Sequence, residues 1–420
     1  MARLTLAYLA ALRAVSVDAG IGHIAFARGP LATASSRPPR GLTTRSSCTS
    51  VGLSARAWTS TPRFSVASAP LGRVSEGTIS SQMAGAGAGA GEGVPQPGDG
   101  EVPEGKGVAD DTVPIGNNED HFVSAVAGNG QVVARAMTAR NLVQDALVRQ
   151  DLRPLAADAL GRVMVCTMLM AGGLKDRETF QLTFSGSGPL GGVVAISDGE
   201  GGVRGYVNNG QAKQVELPLK ENGNQDVAAG IGKGLLKVVR NHPDYERPYT
   251  GITALKSGEV AYDAAVYLAD SEQKSCAIAA GCFVTGALVR QAGGYMLETL
   301  PDASEETEKT VVNNIAKLLN RAEDPSELLG RGLTPLGIVE TLLDGLGGVG
   351  ALTYKRPAFL CHCSDQRVYQ ALRLLDKREI QELIKTGDSV EVKCEFCGKE
   401  YRLTADDVIK ELELTPPEES

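Results

Sequence analysis

The chain has 420 residues, 42% of them hydrophobic and 22% charged, room for two or three soluble globular domains. No uninterrupted apolar run of about 18 residues occurs, so no membrane span is expected. The net charge of −8 hides a split: residues 1–75 carry nine Arg and a single acid, Asp18, which leaves −16 on the rest. So acidic a body argues against nucleic acid or an anionic membrane as partner.

Residues 1–75 do not read as a fold. They are rich in Ser, Ala, Arg and Thr, as in "RPPRGLTTRSSCTSVGLSARAWTSTPRFSVAS". That composition is expected of an organellar transit peptide, with the long Ser-rich form favouring a plastid over a mitochondrion. The only Trp, Trp58, and one cysteine, Cys48, would leave with it. Residues 76–118, centred on "MAGAGAGAGEGVPQPGDGEVPEGKGVADD", lack large apolar side chains to offset ordering entropy and read as a flexible linker.

The folded part is expected to start with an α+β domain over 119–302. Apolar residues at three-to-four spacing predict one or two helices in 140–174, with Pro154 where a second helix would begin. Short apolar runs cut by glycines over 180–210 predict an antiparallel meander, with "GEGG" (199–202) as a hairpin turn. Further strands are expected at "KGLLKVVRN", "YTGITA", "SCAIAAGCFV" and "GGYMLETLP", with a helix ending in "YLADSEQ" (267–273). The absence of regular strand–helix–strand alternation favours α+β over a parallel sheet. Residues 303–356 read as a helical linker, with Thr334–Pro335 as one helix start.

A small module follows at 357–412, ahead of a plain tail, 413–420. Ser364 would cap a helix over "DQRVYQALRLLD", and "KREIQELIKTG" a second one stopped by Gly387. "SVEVKC" and "KEYRL" alternate as strands around a turn, and Thr404 with Asp407 opens a last helix. The module holds Cys361-x-Cys363 and Cys394-x-x-Cys397. Paired close cysteines are the usual way to supply four thiolates to tetrahedral zinc. His362 lies between two of them and reads as a surface residue, since four sulfurs complete the tetrahedron. A module of this size buries little core. Structural zinc contributes about 10–16 kcal/mol in small zinc peptides, against about 5–15 kcal/mol for the whole stability of a domain. Zinc loss should therefore unfold the module. Thiolates are also the oxidisable form of cysteine, so a reversible switch is physically permitted.

From spacing alone the four cysteines remain open to several readings: an inert zinc staple, a redox switch, a nucleic-acid ribbon or a thioredoxin-like pair. The ribbon is weakened by eleven Lys and Arg against fourteen acids over 355–420. The oxidoreductase would want its Cys-x-x-Cys at a helix start.

The order of segments decides among them. "GSGPLGG" (186–192), "YLADSEQ", "GGYMLETLP" (293–301), "CHCS" (361–364) and "CEFCGKEYRL" (394–403) resemble, in order and over about 290 residues, the redox-regulated 33 kDa chaperonin family, heat shock protein 33. The N-terminal 118 residues fit an organelle-targeted member. The resemblance implies a mixed α/β N-terminal domain, a helical linker and a C-terminal zinc-binding redox-switch domain. It implies a holdase chaperone that needs no nucleotide and is idle with one zinc ion on Cys361, Cys363, Cys394 and Cys397. Oxidation would form the disulfides Cys361–Cys363 and Cys394–Cys397, release zinc and unfold the module and linker. The partners implied are unfolding client proteins and a second copy when oxidised. The glycines of "DGLGGVG" (344–350) depart from the family and would alter how tightly the linker docks. The competing reading is a constitutive zinc protein bound to nascent chains or a ribosome.

Other residues are read as structural. Cys166, Cys276 and Cys282 sit in apolar runs. "GIGKG" (230–234) lacks the Gly-Lys-Ser/Thr ending of a phosphate loop and should open a strand. Glu272 and Gln273 belong to a helix end. His121 and His242 have no paired nucleophile, and no enzyme activity is expected.

Overall fold

The computed structural model describes residues 25–27, 119–175, 177–208, 212–322, 324–376, 378, 380 and 389–412. The segments read as transit peptide, flexible linker and tail lie outside the described residues, apart from Ala25–Ala27. Those three residues form a strand, β1, where no element is expected, and pair with Cys276–Ile278. The pairing covers backbone groups that would otherwise line a bare sheet edge.

Two sheets enclose one helix. The first runs β1–β9–β10–β3–β2–β11 and the second β12–β6–β5–β4–β7–β8. In the first, β2 (Phe122–Ala127), β3 (Val132–Thr138), β9 (Ser275–Thr285), β10 (Leu288–Thr299) and β11 (Val349–Lys355) are all antiparallel to their neighbours. In the second, β4 (Thr179–Gly186), β5 (Gly192–Asp198) and β6 (Gly202–Val207) make the expected meander. β7 (Gly234–Asn241) and β8 (Tyr249–Ala254) extend it at one side, and β12 (Ala358–Phe359) joins β6 in parallel at the other. The "GEGG" turn joins β5 to β6, and the Asp198 carboxylate accepts the amides of Glu200, Gly201 and Gly202.

Residues 140–174 give two helices, α1 (Arg140–Gln150) and α2 (Pro154–Ala171), with Pro154 in the first turn of α2. Sixteen of the eighteen α2 residues are buried between the sheets, as expected of a helix apolar on every side. Although the sequence shows no unbroken apolar run of that length, α2 is by length and composition apolar enough to cross a membrane. It is the core helix of this fold. Its one charged turn is compensated internally: Arg162 meets Asp158 at 2.6 Å, Glu259 at 3.8 Å and Asp324 at 4.0 Å.

The glycine motifs are explained by close packing. α3 (Val227–Ile231) precedes β7, and the "GIGKG" carbonyls of Gly230, Ile231 and Lys233 accept the amides of Leu190, Gly188 and Ser187. A Cβ on Gly188 would stand 2.3 Å from the Gly230 oxygen. "GIGKG" thus grips "GSGPLGG". Helix α4 (Val260–Glu272) ends on Gln273 at φ 56°, so Glu272 and Gln273 close a helix as the sequence implies.

The linker lies on the outer face of the first sheet. α5 (Glu305–Leu319), α6 (Pro325–Gly330) and α7 (Pro335–Leu342) start on the caps Ser304, Asp324 and Thr334. Val311, Ile315, Leu318, Leu328, Ile338 and Leu342 pack on Val123, Ala125, Ala134, Ala136, Ala277, Ala279, Tyr295 and Leu297. The alanines admit the helices closely, while the opposite face of the same strands packs on α2. Burial on both faces explains why β9 reads as one apolar run rather than alternating.

The last part of 303–356 is not helical. Val349–Lys355 forms β11 against β2. The glycines before it serve this change of direction: Gly345, Gly347 and Gly348 have positive φ, and the amide of Gly128 donates to the Gly348 carbonyl at 2.9 Å. The "DGLGGVG" stretch therefore ties the end of the linker to the β2–β3 turn.

Candidate metal centre

The cysteine module is built on the hairpin β13 (Ser389–Lys393) and β14 (Glu400–Thr404), flanked by α8 (Asp365–Leu372) and α9 (Ala405–Glu411). The Ser364 hydroxyl accepts the Arg367 amide, and that of Thr404 accepts the Asp407 amide, so both caps are where the sequence puts them. Of the helix expected over 377–387, residues 378 and 380 are helical and most of the rest, Gly387 included, lies outside the described residues. Val368, Leu372, Ile380, Val390, Val392, Tyr401, Leu403 and Val408 form a small core that includes Cys394.

All four predicted ligands converge. The sulfurs of Cys361, Cys363, Cys394 and Cys397 lie within 4.8 Å of one another. Between the two motifs the separations are 3.7 Å for Cys361–Cys394 and 3.3 Å for Cys363–Cys397. Tetrahedral zinc with Zn–S of about 2.3 Å places its sulfurs roughly 3.8 Å apart, so donors and spacing fit such an ion. The backbone supports this arrangement: the Cys394 amide donates to Lys399 and the Gly398 amide returns to Cys394, with Gly398 at φ 72°. His362 between the first pair is exposed. Cys166, Cys276 and Cys282 lie apart, in the main core, where burial pushes the first two thiols up to about 12.

The electrostatics also call for a cation. Cys361 and Cys394 share a hydrogen bond between their sulfurs, which holds Cys394 down to about 5 and pushes Cys361 far up, and burial moves Cys397 up to about 11. Four thiolates this close repel one another, and a divalent ion relieves that repulsion. The Tyr401 hydroxyl is buried and has no hydrogen-bond partner. It lies against Cys363, whose sulfur is the acceptor within its reach.

The module also touches the core domain, through contacts the sequence does not announce. Phe396, between Cys394 and Cys397, lies edge-on to Tyr206 of β6 at 4.8 Å and beneath Arg204 at 5.3 Å. Its carbonyl accepts from Gln150, the last residue of α1. Lys213 meets Glu395 at 3.6 Å. An aromatic at the tip of a metal turn is a signal that something must cover it. Nothing in the sequence identifies Gln150, Arg204 or Tyr206 as the cover.

A two-sheet α+β core, a docked helical linker and a four-thiol module define a class of protein in which a small centre able to hold a metal is appended to an α+β core. Comparison with known proteins gives that class its family. The family described as Hsp33 protein matches residues 120–404. The 33 kDa chaperonin of Agathobacter rectalis is 34% identical over 291 residues, covering 69% of this chain and 98% of that one. That of Clostridioides difficile is 35% identical over 293 residues, covering 69% and 98%. The crystal structure of the 33 kDa chaperonin of Thermotoga maritima superposes with a TM-score of 0.64 at 31% identity, over 70% of this chain and 98% of that one. The chain belongs to the Hsp33 family.

Proposed function

We propose that the protein is an ATP-independent holdase chaperone with a redox switch in its cysteine module. The observation that carries this reading is the convergence of four thiols within 4.8 Å of one another. In the reduced state Cys361, Cys363, Cys394 and Cys397 hold one zinc ion, which when bound neutralises thiolate repulsion and joins the two motifs. Hypochlorite or peroxide oxidises each motif by two electrons, the oxidant being reduced to chloride and water or to water alone. The sulfurs become the disulfides Cys361–Cys363 and Cys394–Cys397, the four donors are lost and the zinc leaves.

A module with so small a core is only marginally stable without its metal. Its unfolding frees β12 and then β11, the end of the linker. Release of the linker helices uncovers Val123, Ala125, Ala134, Tyr295 and Leu297 on the first sheet. An apolar face of this kind binds unfolding polypeptides through the same burial that held the linker. The oxidised chain pairs with a second copy. The N-terminal composition supports delivery to an organelle, a plastid before a mitochondrion, and a fluorescent fusion of residues 1–118 tests that address.

Light scattering from thermally unfolding citrate synthase tests the switch. The zinc-loaded reduced protein should leave aggregation unchanged, and the hypochlorite-treated protein should suppress it. Equal activity in both forms would favour a constitutive zinc protein that binds nascent chains.

A further inference from the structure

The core domain and the module meet at β12, which pairs with β6, and around the cysteine turn, Cys394–Gly398. The Phe396 ring lies on Tyr206 and under Arg204. Its carbonyl accepts from Gln150 Nε2 at 2.8 Å, and the same nitrogen donates to the Gly205 carbonyl at 2.7 Å. One buried side chain thus clamps β6 and the turn together. Glu395 reaches Lys213. A Cβ on Gly398 would stand 2.3 Å from the Arg149 carbonyl, so the turn lies against the end of α1. Three of the five turn residues touch the core domain, and the other two are the cysteines.

We propose that this turn is the latch between module and core, and that loss of its two sulfur donors undocks the module from Gln150, Arg204 and Tyr206 directly. The inference rests on the metal reading above. The contacts of the turn with the core are one hydrogen bond from the Gln150 amide, an aromatic pair, a cation over a ring and a partly exposed ion pair. Each is modest alone, and together they fall short of the entropy of fixing a five-residue turn. The remainder comes from tying Cys394 and Cys397 to Cys361 and Cys363. When that tie is lost, the turn no longer presents the Phe396 ring and carbonyl in register, and all the contacts fail together. The docked patch involves none of the linker helices, so redox state reaches the core domain by a route separate from linker release.

The test is carbene footprinting of the full reduced chain, with zinc content measured in parallel. In the wild type, stripping zinc with a chelator should raise labelling of 199–208 and 394–402 several-fold. Gln150→Leu keeps the side-chain size and removes both donated bonds. It should raise labelling of the same two segments with zinc content still at the wild-type level and labelling of 305–319 unchanged. Tyr206→Leu, from another wall of the patch, should do the same and guards against a local disturbance of α1. Wild-type labelling of 199–208 that does not move when zinc is stripped would overturn the latch alone, as would variants as well shielded as the wild type. A reduced chain that carries no zinc would overturn the metal reading and the latch with it.

Discussion

Helix α2 and the hairpin β13–β14 each sit at the centre of a hydrophobic cluster, and the clusters differ in what completes them. α2 buries sixteen residues between two sheets, and its single charged turn is balanced by Arg162. Around the hairpin, Cys394 is itself one of the buried core residues, and Cys361, Cys363 and Cys397 pack against the same cluster. The first region is held by area removed from water. The second has its four thiols as part of its core, so a change at sulfur is also a change in packing.

The largest break in this comparison is metal removal. Stripping zinc under reducing conditions should cost the module about 10 kcal/mol or more and unfold it, while the core keeps its own transition. Hydrogen exchange resolved by segment checks this, and a module still protected without metal would remove the distinction. Next comes the centre of the core. Arg162→Met leaves Asp158, Glu259 and Asp324 without their shared cation and should cost about 3–5 kcal/mol in urea unfolding. Because Asp324 caps the linker helix α6, linker amides should lose protection as well. Leu160→Ala should cost about 2–5 kcal/mol through cavity formation and leave zinc affinity unchanged.

A pH scan sharpens the same contrast. Burial, opposed by Arg162, raises Asp158 from 3.8 to about 6. Between those values the folded chain keeps a proton that the unfolded chain releases. Asp158 therefore contributes stability that is fully present below about pH 4 and lost as pH rises through 6, on the order of 3 kcal/mol. Asp158→Asn should flatten that part of the core's stability profile and leave the module's unchanged. The smallest effect is expected from Thr404→Ala, which removes the α9 cap and should cost the module about 1 kcal/mol, read as a lower Tm of the zinc-loaded form.

Local chemistry is legible in the chain itself. Pro154, Thr334, Ser364 and Thr404 mark helix starts whatever their surroundings, because proline geometry and hydroxyl caps act within one turn. The two cysteine motifs are plain in the chain, while their meeting in one cluster is settled by the fold. β11 escapes a reading of the sequence because "GALTYK" becomes a strand only by pairing with β2, more than two hundred residues earlier. β1 escapes it for the same reason, since it exists through β9.

The sequence by itself determined the α+β class, the family and the two cysteine motifs, since periodicity, capping and motif spacing are encoded over a few residues. The tertiary structure alone decided that the linker covers an alanine-rich sheet face, that Asp324 reaches Arg162, and that Gln150 clamps the metal turn to β6. Those depend on which distant surfaces meet, and no local pattern of residues carries that information.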